Sequence, residues 1–244
     1  TYDAGAANGK GRLVAISSSA AINQIAGYDV LGRVAGSSQT IDGQPYVFSY
    51  SYNLADALTS MTYPSQRVVA TAYDGANRPA SVSGSYNGTP TTYLWAVSYA
   101  PHGGWAAHTF GNQIAQMDSY NNRLQPTEMK DGLPVITSGV MSIPNPVLDL
   151  QYFWGSPVLN GNSAQNNGNL TNLQIQTPGA GGNSTLTFWQ TYVYDRLNRI
   201  SSAGDNGGSG WSEQFDYDQY GNAWLSSAPS GLPIQSQMPT ASAF

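Results

Sequence analysis

A Tyr-Asp dipeptide, followed by Gly or Asn and then Arg, recurs along this chain. Tyr28-Asp29-Val30-Leu31-Gly32-Arg33-Val34 is the cleanest copy, and Tyr194-Asp195-Arg196-Leu197-Asn198-Arg199-Ile200 follows it closely. Tyr73-Asp74-Gly75-Ala76-Asn77-Arg78 and Tyr217-Asp218-Gln219-Tyr220-Gly221-Asn222 keep the same spacing. A repeated supersecondary unit cannot bury its apolar face alone, so the repeat constrains the architecture before any other feature does.

Read as backbone, the unit is a hairpin. Aromatic residues at period two precede the turn (Tyr50 and Tyr52, Tyr192 and Tyr194, Phe215 and Tyr217), which places each pair on one face of a strand. The four residues from Asp29 to Gly32 and from Asp218 to Gly221 fit a type I turn, with Asp at its first position and Gly at its fourth. Asn77 and Asn198 stand where a left-handed residue is needed. The Asp carboxylates are expected to accept turn amides, a structural role. Degenerate copies begin at Tyr52-Asn53, at Tyr99-Ala100-Pro101-His102-Gly103 and at Tyr2-Asp3, where an expanded loop precedes Gly11-Arg12-Leu13. Tyr120-Asn121-Asn122-Arg123-Leu124 reads as one residue short. Successive units from Tyr2 to Tyr120 stand 26, 24, 21, 26 and 21 residues apart, room for two strands and two turns each.

These residues resemble the YD-repeat, or RHS-repeat, family, whose signature is Tyr-Asp-x-x-Gly-Arg. The resemblance covers roughly residues 1–225. It implies an all-β fold of consecutive antiparallel hairpins forming a curved or spiral strip. In large members (bacterial Rhs and Tc toxin components, animal teneurins) the spiral closes into a shell that holds a cargo or forms an adhesive scaffold. The chain carries neither an Asp-Pro-x-Gly-Leu sequence of the self-cleaving members nor a divergent C-terminal domain. Under this resemblance it is expected to be a wall segment of an exported bacterial protein, or a small free-standing relative, with flanking repeat units or a second copy as partners through its edge strands. The expected organisation is one repeat domain over 1–225, with long loops near 155–169 and 177–184, then a Pro/Ser-rich tail over 226–244.

Composition narrows the alternatives. Only 9% of residues are charged, but sixteen Tyr and six Trp offer aromatic area for a core. A net charge of −5 with nine basic residues argues against nucleic acid. No apolar run approaches the roughly 18 residues of a membrane helix. Absent cysteine removes disulfides and thiolate metal sites and is compatible with secretion or a cell-surface place. A first residue of Thr reads as a processed segment.

Two other functions compete with the scaffold. A hydrolase would draw on His108 with Asp118 or Glu128, since His is the ordinary base near neutral pH. His102 falls in a turn, and no Gly-x-Ser-x-Gly or His-Glu-x-x-His motif accompanies either histidine, so catalysis is not expected. A carbohydrate-binding module would use exposed aromatic rings. Trp154 with Tyr152, beside the loop at 155–169, is the preferred ligand-binding pair, while Trp105 and Trp224 follow turns as repeat-core residues. No cofactor is expected and no metal site; Gly204-Asp205-Asn206-Gly207-Gly208 lacks an EF-hand spacing and reads as a plain hairpin loop. The sequons at Asn87, Asn169 and Asn183 read as exposed loops.

Overall fold

In the computed structural model the described residues are 1–3, 5–155, 165–179, 185–205 and 210–227. They contain no α-helix, and nearly everything between the turns is strand. The chain divides into two compact units: residues 1–98 with 108–113, and residues 99–107 with those from 114 on.

In the first unit β1 (Ala15–Ser17), β2 (Ala21–Tyr28), β3 (Val34–Ile41), β4 (Gln44–Tyr52), β5 (Leu58–Thr62), β6 (Val68–Tyr73), β7 (Pro79–Tyr86) and β8 (Thr89–Tyr99) pair in chain order. Every ladder from β1–β2 to β7–β8 is antiparallel. Strand β9 (Trp105–Phe110) falls at the division. The second unit repeats the meander with β10 (Ala115–Tyr120), β11 (Pro126–Gly132), β14 (Pro146–Trp154), β15 (Leu170–Pro178), β16 (Thr185–Tyr194), β17 (Ile200–Asp205), β18 (Ser212–Tyr217) and β19 (Ala223–Ser227). A separate small hairpin, β12 (Val135–Thr137) with β13 (Val140–Ser142), is inserted between β11 and β14.

The two ends of the hairpins use different turn chemistry. At Asp42-Gly43, Asn87-Gly88 and Ser138-Gly139 both central residues have positive φ, the two-residue type I′ turn whose twist suits antiparallel strands. At the Tyr-Asp ends the loop is longer. Gly32 N–H donates to the Asp29 carbonyl at 3.0 Å, and Asp29 N–H to the Arg33 carbonyl at 2.8 Å. Gly32 takes the left-handed conformation (φ 84°), and the ladder register slips at Tyr28. This is a type I turn closed by a left-handed residue and a bulge.

The structure corrects or extends the sequence reading at three points. The unit at Tyr120 is full length: Leu124 occupies the Gly position with φ 65°, and Gln125 the Arg position, its carbonyl accepting Asn121 N–H at 3.0 Å. Cryptic turns of the same hydrogen-bonding form close β5–β6, where Tyr63 N–H donates to the Arg67 carbonyl at 2.8 Å. The aromatic residues do not assemble a deep core. The buried hydrophobic side chains among the described residues are Val14, Ala115, Ile143, Phe153 and Ala203, while the signature tyrosines are half-buried. With so few buried hydrophobic side chains among the described residues, cohesion must come from contacts between successive hairpins.

Candidate functional site: the turn seam

Each signature turn is organised by its first residue. Asp29 Oδ1 accepts the backbone N–H groups of Leu31 and Arg33, both at 2.9 Å, and Oδ2 accepts Arg33 Nε at 2.6 Å. Asp74 repeats this with Ala76 and Arg78, and Asp195 with Leu197 and Arg199. Backbone amide donation from the residue four positions on leads the lowering of all three carboxyls below their ordinary range, with the same residue's guanidinium adding to it. At Asp218 burial opposes the shift, but donors from Asn222, Tyr220 and Gly221 still hold the carboxyl low.

The variants follow one rule of donors and acceptors. Asn121 Oδ1 accepts Arg123 and Gln125 N–H, so its amide nitrogen faces residue 125 and requires an acceptor there. Gln125 Oε1 supplies it at 2.9 Å. Asp218 instead faces residue 222 with an oxygen, and Asn222 Nδ2 donates to it at 2.7 Å.

Successive units are tied by the Arg and Tyr. Arg33 lies over the ring of Tyr52 at 4.7 Å, Arg12 over Tyr28 at 5.1 Å, and Arg199 over Tyr217 at 4.1 Å, each a cation–π contact with the next unit's tyrosine. The phenols then donate back to the strand that opens after the preceding turn. Tyr28 bonds the Leu13 carbonyl (2.5 Å), Tyr52 Val34 (2.9 Å), Tyr73 Leu58 (2.8 Å), Tyr194 Leu170 (2.8 Å) and Tyr217 Ile200 (2.7 Å). Tyr120 does the same to Trp105 at 2.9 Å. The bond satisfies the one polar atom of a large, half-buried ring.

The turns also bond one another into a seam along each unit. In the first, Arg12 Nη1 donates to the Gly32 carbonyl at 2.9 Å, and Arg33 Nη1 reaches the Asn53 carbonyl (2.6 Å) and Asp56 Oδ1 (2.8 Å). Asn53 Nδ2 continues the line to Asn77 Oδ1 at 2.7 Å. A Cβ on Gly32 would fall 2.0 Å from Arg12 Nη2, so glycine there serves the seam as well as the turn. In the second unit Arg123 donates to the Asn166 carbonyl, Asn166 Nδ2 bonds Gln125 Oε1 at 2.6 Å, and Asn169 Nδ2 bonds Asn198 Oδ1 at 3.0 Å. Asn169 is therefore half-buried in the seam rather than in an exposed loop.

The remaining sequence candidates are placed as follows. His102 sits in the turn whose Gly103 N–H bonds the Ala100 carbonyl, its ring edge-on to Tyr120 at 4.5 Å. His108 is buried (6% exposed) with its ring against Phe110 at 4.8 Å. Asp118 stands opposite Met129 in register, one residue from the level of Glu128, so the two carboxylates project to opposite faces of the sheet. Asp118 accepts Gln116 Nε2 at 3.1 Å, and Glu128 pairs with Lys130 at 2.7 Å. Trp154 stands in a signature tyrosine's place: Nε1 donates to the Pro126 carbonyl at 2.7 Å, the bond the phenols make elsewhere. Tyr152, two residues before it, is half-buried on β14, and burial raises its phenol above the ordinary range. Trp105 packs on Tyr99 at 5.5 Å. Of the Gly204–Gly208 loop, residues 206–208 lie outside the described residues, as do Asn183, most of the loops at 155–169 and 177–184, and the tail from 228 on.

A meander of hairpins joined by Asp–Arg–Tyr couplings is a repeat-protein fold, and solved structures share that fold. The TcdB2–TccC3 complex matches at a TM-score of 0.70 over 95% of this chain, with 18% identity. The Photorhabdus luminescens Tc holotoxin pore matches at 0.71 over 91%, again with 18% identity. TcdB2–TccC3 without its hypervariable C-terminal region gives 0.70 over 91%. This chain spans 12% of the length of each of those chains, and the likeness is one of fold. No protein-family model and no curated protein sequence matches the chain.

Proposed function

We propose that the chain is a non-enzymatic scaffold, a wall segment of an exported bacterial YD/RHS-repeat protein of the Tc-toxin kind. One observation carries this reading: the signature residues are spent on coupling each hairpin to the next, with Asp, Arg and Tyr each committed to backbone or to one another. Such a wall grows by adding units. Its partners are further repeat units, flanking or in a second copy, meeting its edge strands, with the segment from Tyr2 to Ile16 as the contact.

The hydrolase reading loses support because Asp118 and Glu128 point to opposite faces and Glu128 is paired with Lys130. Trp154, the chief carbohydrate candidate, already uses its indole N–H on Pro126. Light scattering across a dilution series, with and without residues 1–16, tests the wall reading and should show end-to-end association that the deletion weakens. Saturable turnover in a broad hydrolase screen, abolished by His108→Ala, would overturn it.

A further inference from the structure

On one face of the second unit, three charged side chains meet with an imbalance. Lys130 on β11 stands opposite Asp149 on β14, and Glu128 lies two residues before Lys130 on the same face. Lys130 Nζ is 2.7 Å from Glu128 Oε1 but 3.8 Å from Asp149 Oδ2. One ammonium thus faces two carboxylates and is committed to the more exposed one.

Asp149 is only 4% exposed, and its Oδ1 has no hydrogen-bond partner among the described residues. Burial raises its carboxyl above the ordinary range, against the pull of Lys130. A buried carboxylate oxygen without a donor is costly, and native proteins rarely leave one so. Asp149 lines a cavity of about 570 Å³ together with Lys130, Pro146, Gln176 and Pro178.

We propose that this cavity binds a protonated primary amine, whose N–H groups donate to Asp149 while its methylene stem lies against Pro146 and Pro178. The charge count favours a cation, since two carboxylates oppose one lysine and, among the described residues, no other basic residue lines the cavity. An ammonium fits better than a metal ion, because no three His, Asp or Glu among the described residues are grouped to hold one. A neutral polyol would meet the hydrogen-bond need and leave the charge uncompensated. The amine can come from a small diamine or from a lysine side chain of another polypeptide. This site does not depend on the scaffold reading.

Isothermal titration of the whole chain tests it with four probes: 1,4-diaminobutane, N-acetyl-lysine amide, tetramethylammonium (charge without N–H) and glycerol (donors without charge). The two amines should bind saturably at one site, and tetramethylammonium and glycerol should not. A response to the diamine alone assigns a small-molecule source; a stronger response to the lysine amide assigns a polypeptide one. Asp149→Asn should weaken binding at least tenfold. Lys130→Met should tighten it several-fold by removing the competing cation, an opposite sign that misfolding would not produce. Equal binding of tetramethylammonium, no saturable heat with either amine, or unchanged affinity in both variants would overturn the proposal.

Discussion

A carboxylate at the first position of these turns does three things with two oxygens: it accepts the amide two residues on, the amide four residues on, and the side chain of that last residue. Asn can replace it for the first two but presents an N–H to the third, which is why Gln125 rather than Arg follows Asn121. Asp195→Asn should therefore lower stability, because an N–H then faces the Arg199 guanidinium in place of the oxygen that accepts from it. Adding Arg199→Gln, which recreates the Asn–Gln pair, should restore part of it. Urea unfolding of the single and double variants checks both expectations, and equal losses in the two would remove the pairing rule. Acid should loosen the same turns. Asp29, Asp74 and Asp195 titrate below their unfolded value of 3.8, so the unfolded chain binds protons first as pH falls. Their contribution is fully present above that value and is lost as pH drops through the lowered folded values. The unfolding midpoint should be flat between pH 5 and 7 and fall below about pH 4, and neutralising all three positions should flatten that decline.

At the scale of the hairpin, backbone conformation and the tyrosine bond decide stability. Leu124 holds a left-handed conformation with 58% of its surface exposed. The left-handed region costs a side-chain-bearing residue about 1–2 kcal/mol, so Leu124→Gly should stabilise the second unit, by about 0.5–1 kcal/mol after the added freedom of the unfolded chain. Thermal unfolding measures it, and a lowered midpoint would mean that Leu124 packs more than it strains. Tyr52 separates ring from hydroxyl. Tyr52→Phe removes the bond to Val34 and should cost about 1 kcal/mol. Tyr52→Ala also loses the ring under Arg33 and should cost about 2–3 kcal/mol, short of the 3–5 of a fully buried aromatic because the ring is half-exposed.

Across a whole unit the couplings reach only to the next turn, and energetics should be correspondingly one-dimensional. Arg33 and Tyr52 touch, so their double-variant cycle should show an interaction of at least about 0.5 kcal/mol. Tyr28 and Tyr73 lie two turns apart in the first unit and bond different carbonyls, Leu13 and Leu58, so their effects should add within about 0.5 kcal/mol. Strong coupling between Tyr28 and Tyr73 would point to a shared core, which the few fully buried hydrophobic side chains among the described residues argue against.

The sequence by itself determined the hairpin at Asp29–Arg33 and its relatives, because a carboxylate first and Gly or Asn fourth are local demands of a tight turn with one left-handed residue. It also determined the all-β class, since period-two aromatics suit no helix. What it could not supply is set by which strand lies beside which. The unit at Tyr120 reads as one residue short because Leu124 is a poor left-handed residue, and only the ladder shows the turn tolerating it. Trp154 reads as an exposed ring because nothing local reveals that its N–H meets a carbonyl 28 residues back. The place of Lys130 opposite a buried Asp149, whose Oδ1 has no partner among the described residues, is likewise fixed by the register of β11 on β14. Turn chemistry is written in adjacent residues, whereas the seam, the phenol bonds and the amine cavity depend on long-range register, which a one-residue slip would move to the other face of the sheet.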